Sequence, residues 1–389
     1  MKFKRFFAAL PGRISLIIAI AVILIFFSND FGLVDIPKTA IILALGLDKE
    51  EETLKLTAQI AVPKGSDRTT GGTSSVEIDG EGQTVPDCLS QIYTKTGWVP
   101  KLIFCNLILL GESVVKEDVF DCLDFFLRNE YIPNSCQLAA CVGNAGDMLS
   151  SQSAIEDTTG IAFTKLFSDA AKKSGYVMTT TLRAFSIGYY GASGSGYMPY
   201  IRSQAQEGSQ SVASSGGANG AQGEEKEQKV FLAEETAIFS KGKLAAILPR
   251  EQTFVFRLLE SNVYAGTFGE DGVTYVVLED DGSVDVQTNG EVKATLSLDL
   301  RVRLHAMRKI SSPDEIAKGE LTKEQQEHAK EMIERCLSGL WQICVETDCD
   351  VLDLKTKLYR SSPADYEQFK DDFFSVCSPE IRANVKSVS

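Results

Sequence analysis

The stretch Val292-Lys-Ala-Thr-Leu-Ser-Leu-Asp-Leu-Arg-Val-Arg-Leu-His305 decides the fold class of the C-terminal part of the chain. Apolar residues occupy every second position from Val292 to Leu304, and polar or charged residues lie between them. This period of two predicts one long β-strand with a buried side and a solvent-facing side. At roughly 3.3 Å per residue such a strand spans about 45 Å, which predicts a long, curved antiparallel sheet.

The buried side of this strand needs a cover, and the residues after it supply a long helix. We predict this helix from Glu324 to about Cys344, because apolar residues recur along one of its faces. That face contains Ala329, Met332, Ile333, Cys336, Leu340 and Ile343. Residues Glu380–Val388 are predicted to form the last strand of the chain.

Strand and helix patterns alternate in the N-terminal half. The predicted strands are Thr39–Gly46, Leu54–Val62, Leu102–Leu110 and Ser135–Val142, and the predicted helices are Val85–Thr96, Lys116–Asn129 and Ile161–Lys173. This alternation indicates helices packed on a sheet. Together with the C-terminal pattern, it predicts an α+β protein whose mixed α/β domains follow an N-terminal membrane span.

The middle of the chain carries strand and turn patterns of its own. A hairpin is predicted from Val230–Phe239 and Lys243–Leu248, a helix from Thr253 to Ser261, and two short strands from Thr274–Leu278 and Val284–Gln287. The last two strands are predicted to flank a turn at Asp281-Gly282, because Asp-Gly is a preferred pair in hairpin turns.

Composition changes abruptly at residues 203–228, where Ser, Gly, Ala, Gln and Glu dominate. Such a segment buries too little apolar surface to offset its ordering entropy, so we predict a disordered linker or insertion. The predicted organisation is therefore a signal anchor at 1–35, an α/β domain at 36–202, this linker, and a C-terminal region at 229–389 with a candidate internal boundary near 290.

The N-terminus combines positive charge with an apolar run. Lys2, Lys4, Arg5 and Arg13 precede the run Ile14–Phe27, which extends through Val34 to the length of a bilayer-spanning helix. A cleaved signal peptide is the alternative, although large phenylalanines occupy the place where cleavage needs small residues. Under both interpretations the positive-inside rule places the residues beyond about 35 outside the cytoplasm.

Net charge excludes one large class of functions. The formal charge is −14, and no cluster of Lys and Arg occurs beyond the first thirteen residues. A phosphate backbone is bound by such clusters, so nucleic acid is not expected as a partner.

The search for reactive groups yields no catalytic, cofactor-binding or metal-binding residue. The two histidines, His305 and His328, are predicted to lie on solvent-facing sides, and no H-E-x-x-H, C-x-x-C or Walker A sequence occurs. Gly191–Gly196 is interpreted as a flexible turn rather than a phosphate loop. Glu279–Asp281 could hold calcium, but solvated turn residues are the favoured interpretation. The nine cysteines form no dense, evenly spaced disulfide framework. We therefore expect neither an enzyme nor a bound cofactor.

Several stretches occur in the order found in a known family. They are Ile42–Lys49, Leu56–Pro63, Ile78–Thr84, Leu102–Glu112, Leu123–Asn129, Thr236–Leu244, Asp350 and the Leu358-Tyr-Arg360 segment. This arrangement over residues 36–389 resembles the Ger(x)C proteins, the C subunits of bacterial spore germinant receptors. The resemblance implies three α/β-type domains and a non-enzymatic subunit on the outer face of the spore's inner membrane.

The resemblance also implies partners and one departure from the family. It places the chain beside a polytopic A subunit and a transporter-like B subunit in a nutrient-sensing complex. Most family members carry a lipidated cysteine after the apolar run, whereas Phe26, Phe27 and Ser28 stand there in this chain. Residues 14–34 are therefore expected to attach the protein to the lipid bilayer directly.

The expected function is that of an interaction subunit of such a receptor, needed for germination in response to nutrients. Two other classes stay open at this point. One is an extracytoplasmic ligand-binding protein of a transport or sensing system, and the other is an exported hydrolase. Neighbouring genes for A- and B-type membrane proteins would favour the receptor, whereas an ATPase cassette would favour transport.

Overall fold

The computed structural model describes residues 16–23, 39–62, 74–154, 156, 158–205, 228–260, 263–288, 290–307 and 320–388. The chain divides into two units, Met1–Thr39 and Ala40–Ser389. In the first unit residues 16–23 are helical, and the rest of the predicted anchor lies outside the described residues. No helix among the described residues is long and apolar enough to cross a bilayer. The predicted linker also lies outside them, except for its two ends.

The larger of the two sheets takes its strands from residues 39–248. They are β1 (Thr39–Glu50), β2 (Thr53–Val62), β3 (Ser74–Gly82), β4 (Val99–Lys101), β5 (Leu107–Leu110), β6 (Gln137–Cys141), β7 (Gln152–Ser153), β8 (Thr180–Thr181), β9 (Ser195–Ala205), β10 (Gln228–Ser240) and β11 (Lys243–Leu248). The strand order is β11-β10-β9-β6-β5-β1-β2-β3, and the short strands β4, β7 and β8 pair off this path.

The centre of this sheet is parallel and its margins are antiparallel hairpins. β5 pairs in parallel with both β1 and β6, and β6 pairs in parallel with β9. All four residues of β5 are buried, as expected for a strand covered on both faces. The predicted pair Thr39–Gly46 and Leu54–Val62 is confirmed as β1 and β2.

Seven helices occur among the described residues of this part of the chain. They are α1 (Val85–Thr96), α2 (Glu112–Val115), α3 (Phe120–Arg128), α4 (Ala145–Ser150), α5 (Thr159–Leu166), α6 (Asp169–Lys172) and α7 (Leu182–Tyr190). The predicted bounds of α1 are confirmed, because a capping box of Thr84 and Asp87 starts it and Gly97 in the left-handed conformation ends it.

Three predicted elements are shorter than expected. The strand predicted at 102–110 begins only at Leu107, because Cys105 N donates to Leu102 O and closes a turn. The helix predicted at 116–129 begins at Phe120, whose N–H donates to the Asp118 carboxylate. The helix predicted at 161–173 is two helices, because Ser168 caps a new one.

The strands on either side of the predicted linker pair with each other. β9 and β10 are antiparallel neighbours, and β10 continues into β11 through the predicted hairpin. Lys241 and Gly242 both have positive φ at its turn, as a two-residue hairpin loop with the correct twist requires. Residues 228–248 therefore complete the sheet formed by residues 39–205. The division into domains at 36–202 and 229–389 stays a prediction.

The second sheet contains the long strand predicted from the alternating pattern. Its strands are β12 (Thr267–Phe268), β13 (Val273–Thr288), β14 (Val292–Met307) and β15 (Cys377–Ser387), in that spatial order. The apolar side chains of β14 from Val292 to Leu304 are buried, which confirms the predicted buried face. The α+β fold class is confirmed by the two sheets and their helices.

Two expectations about this sheet are wrong. The strands predicted at 274–278 and 284–287 are one continuous strand, β13, without a turn at Asp281-Gly282. The sheet is also mixed rather than antiparallel, because β15 runs parallel to β14. A parallel neighbour requires a crossover connection, and the helices between the two strands provide it.

The remaining helices pack on this second sheet. They are α8 (Arg250–Leu259), α9 (Lys323–Thr347), α10 (Leu354–Ser361), α11 (Pro363–Phe369) and α12 (Phe373–Val376). α9 is the predicted long helix, and a capping box of Thr322 and Gln325 starts it. Ile333 and Leu340 of its predicted apolar face belong to the same core as the buried face of β14, and Leu337, which the prediction did not include, is buried in that core as well.

Gly282 explains why β13 continues through an Asp-Gly pair. A Cβ at this position would lie 2.4 Å from the Leu258 carbonyl oxygen and 2.6 Å from Leu259 Cα. The glycine is therefore needed where the C-terminal turn of α8 crosses closely over the strand.

Candidate functional site

Three buried polar residues in the stretches that resemble the Ger(x)C family share one local role. Asp48, Gln59 and Asp350 are each at most 3% exposed. Each accepts hydrogen bonds from backbone N–H groups at the beginning of a helix. Such groups have no partner within their own helix, so buried side chains that satisfy them stabilise the helix start.

Asp48, at the end of the Gly46-Leu-Asp48 segment of β1, caps α4. Its Oδ1 accepts from Ala145 N at 2.7 Å and its Oδ2 accepts from Gly146 N at 2.8 Å. Burial raises the pKa of this carboxyl, and the two backbone hydrogen bonds oppose the rise. The residue is therefore part of the fold.

We expect Asp48→Ala to destabilise the protein by about 2 kcal/mol, because two buried N–H groups lose their acceptor. Asp79→Ala is the matched control, since Asp79 lies on β3, two strands away from β1, and its carboxylate contacts side chains. It accepts from the Thr57 hydroxyl at 2.7 Å and lies 3.8 Å from Lys55 Nζ. Urea unfolding of both variants checks the difference. Equal unfolding midpoints for the two variants would contradict the capping role.

Gln59 connects β2 to the start of α5. Its Oε1 accepts from Gly160 N at 2.8 Å, while its Nε2 donates to Glu77 Oε1 at 2.9 Å and to the Leu149 carbonyl at 3.4 Å. A Cβ on Gly160 would lie 2.6 Å from the Gln59 oxygen, so the close approach depends on that glycine. Gln59 therefore also has a structural role.

Asp350 caps α10 and contacts the larger sheet. Its carboxylate oxygens accept from Leu354 N at 2.9 Å and from Lys355 N at 2.6 Å, and its own N–H donates to Ser195 Oγ at 3.1 Å. Complete burial raises the pKa of Asp350 to about 7, although both backbone hydrogen bonds act to lower it. The residue therefore joins β9 to α10 and can change its charge near neutral pH.

A cavity of about 640 Å³ lies beside Asp350. Its walls come from the end of α7 and the glycine-rich turn at 191–196, from residues 282–285 of β13, and from the first turns of α10. A cavity of this volume is in the range of small-molecule sites. Both sheets thus contribute to one concave surface.

Some polar groups in the cavity wall already form hydrogen bonds within the protein. Lys357 Nζ donates to the Val284 carbonyl at 2.5 Å, and Thr356 Oγ1 accepts from Ser193 N at 3.3 Å. Asp285 and Arg360, which are exposed, place one carboxylate and one guanidinium in the same lining. The described lining residues include no histidine or cysteine.

The prediction of a turn holds for the glycine-rich motif and fails for the acidic motif. Residues 191–194 form the predicted turn, with Gly194 at φ 59°, whereas Ser195 and Gly196 already belong to β9. Glu279–Asp281 does not lie in a turn, because it belongs to β13. There Glu279 pairs with Arg301 at 3.0 Å, and Asp280 Oδ1 accepts from Val263 N at 3.0 Å. These contacts use the carboxylates to join neighbouring segments.

The two histidines are not equivalent. His305 is exposed on β14, as predicted. His328 is half-buried: its Nδ1 lies 3.3 Å from the Tyr275 hydroxyl and its Nε2 lies 3.4 Å from Glu270. Glu270, Asp271 and His328 bring possible metal ligands within 4.8 Å of one another. Glu270 also accepts from Arg335 at 2.7 Å, so a cation already occupies one side of this group.

The cysteines behave as small core residues. All nine are free thiols, and only Cys336 is less than fully buried. Burial raises the pKa of Cys88 and of Cys122 to about 11. Thiols with raised pKa values in apolar surroundings are poor nucleophiles.

Sequence reasoning missed the cavity and found only its parts. The turn at 191–196, Asp350 and the Leu358-Tyr-Arg360 segment were each noted separately, and the structure brings Gly191, Asp350 and Arg360 into one lining. Tyr359 is exposed and does not line it. No local pattern reports that residues so far apart in the chain meet.

Comparisons with known proteins match both parts of the chain. A family described as "Spore germination protein N-terminal domain" matches residues 33–203, and one described as "Spore germination B3/ GerAC like, C-terminal" matches residues 234–388. The solved structure "Crystal Structure of the GerBC protein" is similar at 14% identity and a TM-score of 0.48, over 89% of this chain and 97% of that chain. A search of curated proteins found no match.

Proposed function

We propose, because the chain belongs to the Ger(x)C family of spore germination proteins, that it is the C subunit of a spore germinant receptor. The observation that carries the proposal is the match of both family domains, in their order, over residues 33–203 and 234–388. The protein acts by binding partners rather than by turning over a substrate. Its partners are the polytopic A subunit and the transporter-like B subunit.

Attachment to the bilayer is the second part of the proposal. Residues 14–34 hold the protein at the spore's inner membrane, and the folded residues from 39 onward lie on its outer face. The support is the basic N-terminus, the apolar run after it and the absence of a cysteine to lipidate in that run.

A non-enzymatic role agrees with how the buried polar groups are used. Asp48, Gln59 and Asp350 accept hydrogen bonds from helix starts. The thiols with raised pKa values are buried. These groups have structural roles. We therefore expect the subunit to act through its binding surfaces.

Deletion of the gene tests the proposal in spores. We expect the deletion to abolish the response to the nutrients that the complex senses, and the full chain supplied in trans to restore it. A chain whose residues 14–34 are replaced by an unrelated uncleaved span should also restore it, whereas a chain without any span should not. Germination is followed by the loss of optical density of a spore suspension.

Co-purification from spore membranes gives the matching biochemical test. We expect the tagged chain to bring down the A and B subunits. A preparation in which the chain is abundant and neither subunit accompanies it would refute the receptor assignment. Recovery of residues 1–20 in the mature protein supports the retained span over a cleaved signal peptide.

The cavity favours one second candidate, an extracytoplasmic ligand-binding protein. Its volume of about 640 Å³ and its mixed lining, with Asp285 and Arg360, suit a small polar molecule. The two candidates are distinguished by the neighbouring reading frames. Genes for A- and B-type membrane proteins support the receptor, and an ATPase cassette supports a transport system.

A further inference from the structure

Four exposed apolar and aromatic residues lie on α1 and on the loops around residues 103–104 and 131, and none of them lines the cavity beside Asp350. We call Tyr93, Ile103, Phe104 and Tyr131 the Ile103 patch; their exposed fractions are 47%, 54%, 55% and 61%. Ile103 and Phe104 lie next to each other in the turn that Cys105 N closes onto Leu102 O. Large apolar side chains exposed as a group mark an interaction surface more often than single ones do.

The patch borders a groove of about 740 Å³ between α1, α3 and the segment 99–103. Apolar and aromatic residues such as Leu89 and Phe125 line the groove, and Lys101 is the charged residue among its described lining residues. No aspartate or glutamate belongs to that described lining, although the chain has 53 acidic residues and a formal charge of −14. This local absence of carboxylates lowers the repulsion between this part of the surface and an anionic membrane.

The position of the patch along the sheet follows from the pairing of β1. Asn106 N donates to the Leu43 carbonyl at 2.9 Å, and Leu107 is in parallel register with Ala44. β4, which ends two residues before Ile103, also pairs with β1. Ile103 and Phe104 therefore lie beside the N-terminal end of β1.

The N-terminal end of β1 is tied closely to the proposed membrane span. β1 begins at Thr39 and the span ends at residue 34, so four residues separate them. Even a fully extended chain covers only about 18 Å over that distance. An apolar patch beside Thr39 is thus held within reach of the bilayer interface.

We infer that the Ile103 patch inserts into the lipid headgroup and acyl boundary and sets the orientation of the protein on the membrane. The inference rests on the proposed membrane attachment. Aromatic side chains together with a nearby lysine are the composition that prefers this boundary. The occupant is a bilayer surface rather than a soluble protein, because the tether between the proposed span and β1 is short.

Fluorescence quenching tests the inference in the full chain. The Phe104→Trp variant and the wild type are reconstituted into vesicles of phosphatidylcholine with a minor fraction of phosphatidylglycerol, with or without brominated acyl chains. The wild-type signal from Trp98 and Trp341 is subtracted. We expect bromination to lower the added emission about twofold, because the indole lies at the depth of the upper acyl chains.

Tyr264→Trp is the matched control, because Tyr264 is 61% exposed and lies outside the patch. Its added emission should not respond to bromination. Equal quenching of both variants, or none at Phe104→Trp, overturns the inference. A third outcome also overturns the inference: bromination leaves the emission of Trp at position 104 unchanged, and this emission shifts to the blue only after A and B subunits are added. That result would assign the patch to a protein partner.

The same vesicles separate the two proposals. Quenching is recorded before an alkaline carbonate wash, so it decides about the patch in every case. Retention of the chain after the wash then decides about the span. A retained chain without quenching refutes the patch alone, and a chain that is washed away refutes the attachment alone.

Discussion

Gly282→Ala is expected to destabilise the protein by about 3 kcal/mol. The new Cβ would lie 2.4 Å from the Leu258 carbonyl oxygen, and 2.6 Å and 2.8 Å from Leu259 Cα and O. All three atoms belong to the backbone of α8, so rotation of a side chain cannot relieve the contact. The helix or the strand has to move, and both pack in the same core as the buried face of β14.

Gly339→Ala is the matched control. Its new Cβ would also come within 2.8 Å of another atom, but that atom is Nε2 at the flexible end of Gln252. Gln252 can move aside, and alanine favours the helix α9 by about 1 kcal/mol over glycine. We therefore expect the control to be as stable as the wild type or more stable.

Urea unfolding of the full chain in detergent micelles measures both variants. Trp341, which is 8% exposed and packs against Phe374, reports on the core around the second sheet. A Gly282→Ala midpoint equal to that of the wild type would mean that α8 does not press on β13, and the continuity of the strand would then need another explanation.

Gly282 also shows why part of the fold could not be predicted. An Asp-Gly pair between two apolar segments is the usual signal of a hairpin, and the local sequence offers nothing against that interpretation. The contact that requires glycine comes from Leu258 and Leu259, more than twenty positions earlier in the chain. The direction of β15 was likewise missed, because it depends on where the crossover helices return.

The elements that could be predicted are those whose signals are local. β14 has an unbroken period of two, so its buried face was recognised from the sequence. The helix Val85–Thr96 has a capping residue, Thr84, and a glycine, Gly97, immediately outside its ends. The polar residues of the family motifs were recognised as a pattern, whereas their role as helix caps became visible only when their backbone partners were located.

Asp350 gives the second large effect, a dependence of stability on pH. Its pKa is about 7 in the folded protein, because burial disfavours the charged form, and 3.8 is its ordinary value. Between these values the folded state keeps a proton that the unfolded state has lost. The free energy of unfolding therefore falls as pH rises from about 4 to about 7, and Asp350 accounts for a decrease of up to roughly 4 kcal/mol. Below about pH 4 and above about pH 7 the contribution of Asp350 does not change with pH.

The Asp350→Asn variant isolates this contribution. Asparagine has a similar shape, is neutral at every pH, and keeps one of the two acceptor oxygens for Leu354 N or Lys355 N. At pH 5 we expect it to be less stable than the wild type by about 1–2 kcal/mol, because one buried N–H loses its acceptor. At pH 8 the difference should vanish or change sign, because the wild type then carries a buried charge.

Asp365→Asn controls for the general effect of removing a carboxylate from this region. Asp365 is half-buried, and hydrogen bonds from Thr288 and Ser362 lower its pKa, so it is charged throughout the range from pH 5 to pH 8. Its replacement should leave the slope of stability against pH unchanged in that range. Wild type and Asp350→Asn curves that run parallel would show that Asp350 does not titrate there.

Titration of Asp350 affects contacts with both sheets. Asp350 N donates to Ser195 at the start of β9, while the Asp350 carboxylate accepts from the first turn of α10. Charging the carboxylate strengthens its bonds to α10 and at the same time costs desolvation. Asp350 is also one of the residues that line the cavity. A cavity whose wall changes charge near pH 7 should therefore bind a cationic molecule more tightly above that pH than below it, in the wild type and not in Asp350→Asn.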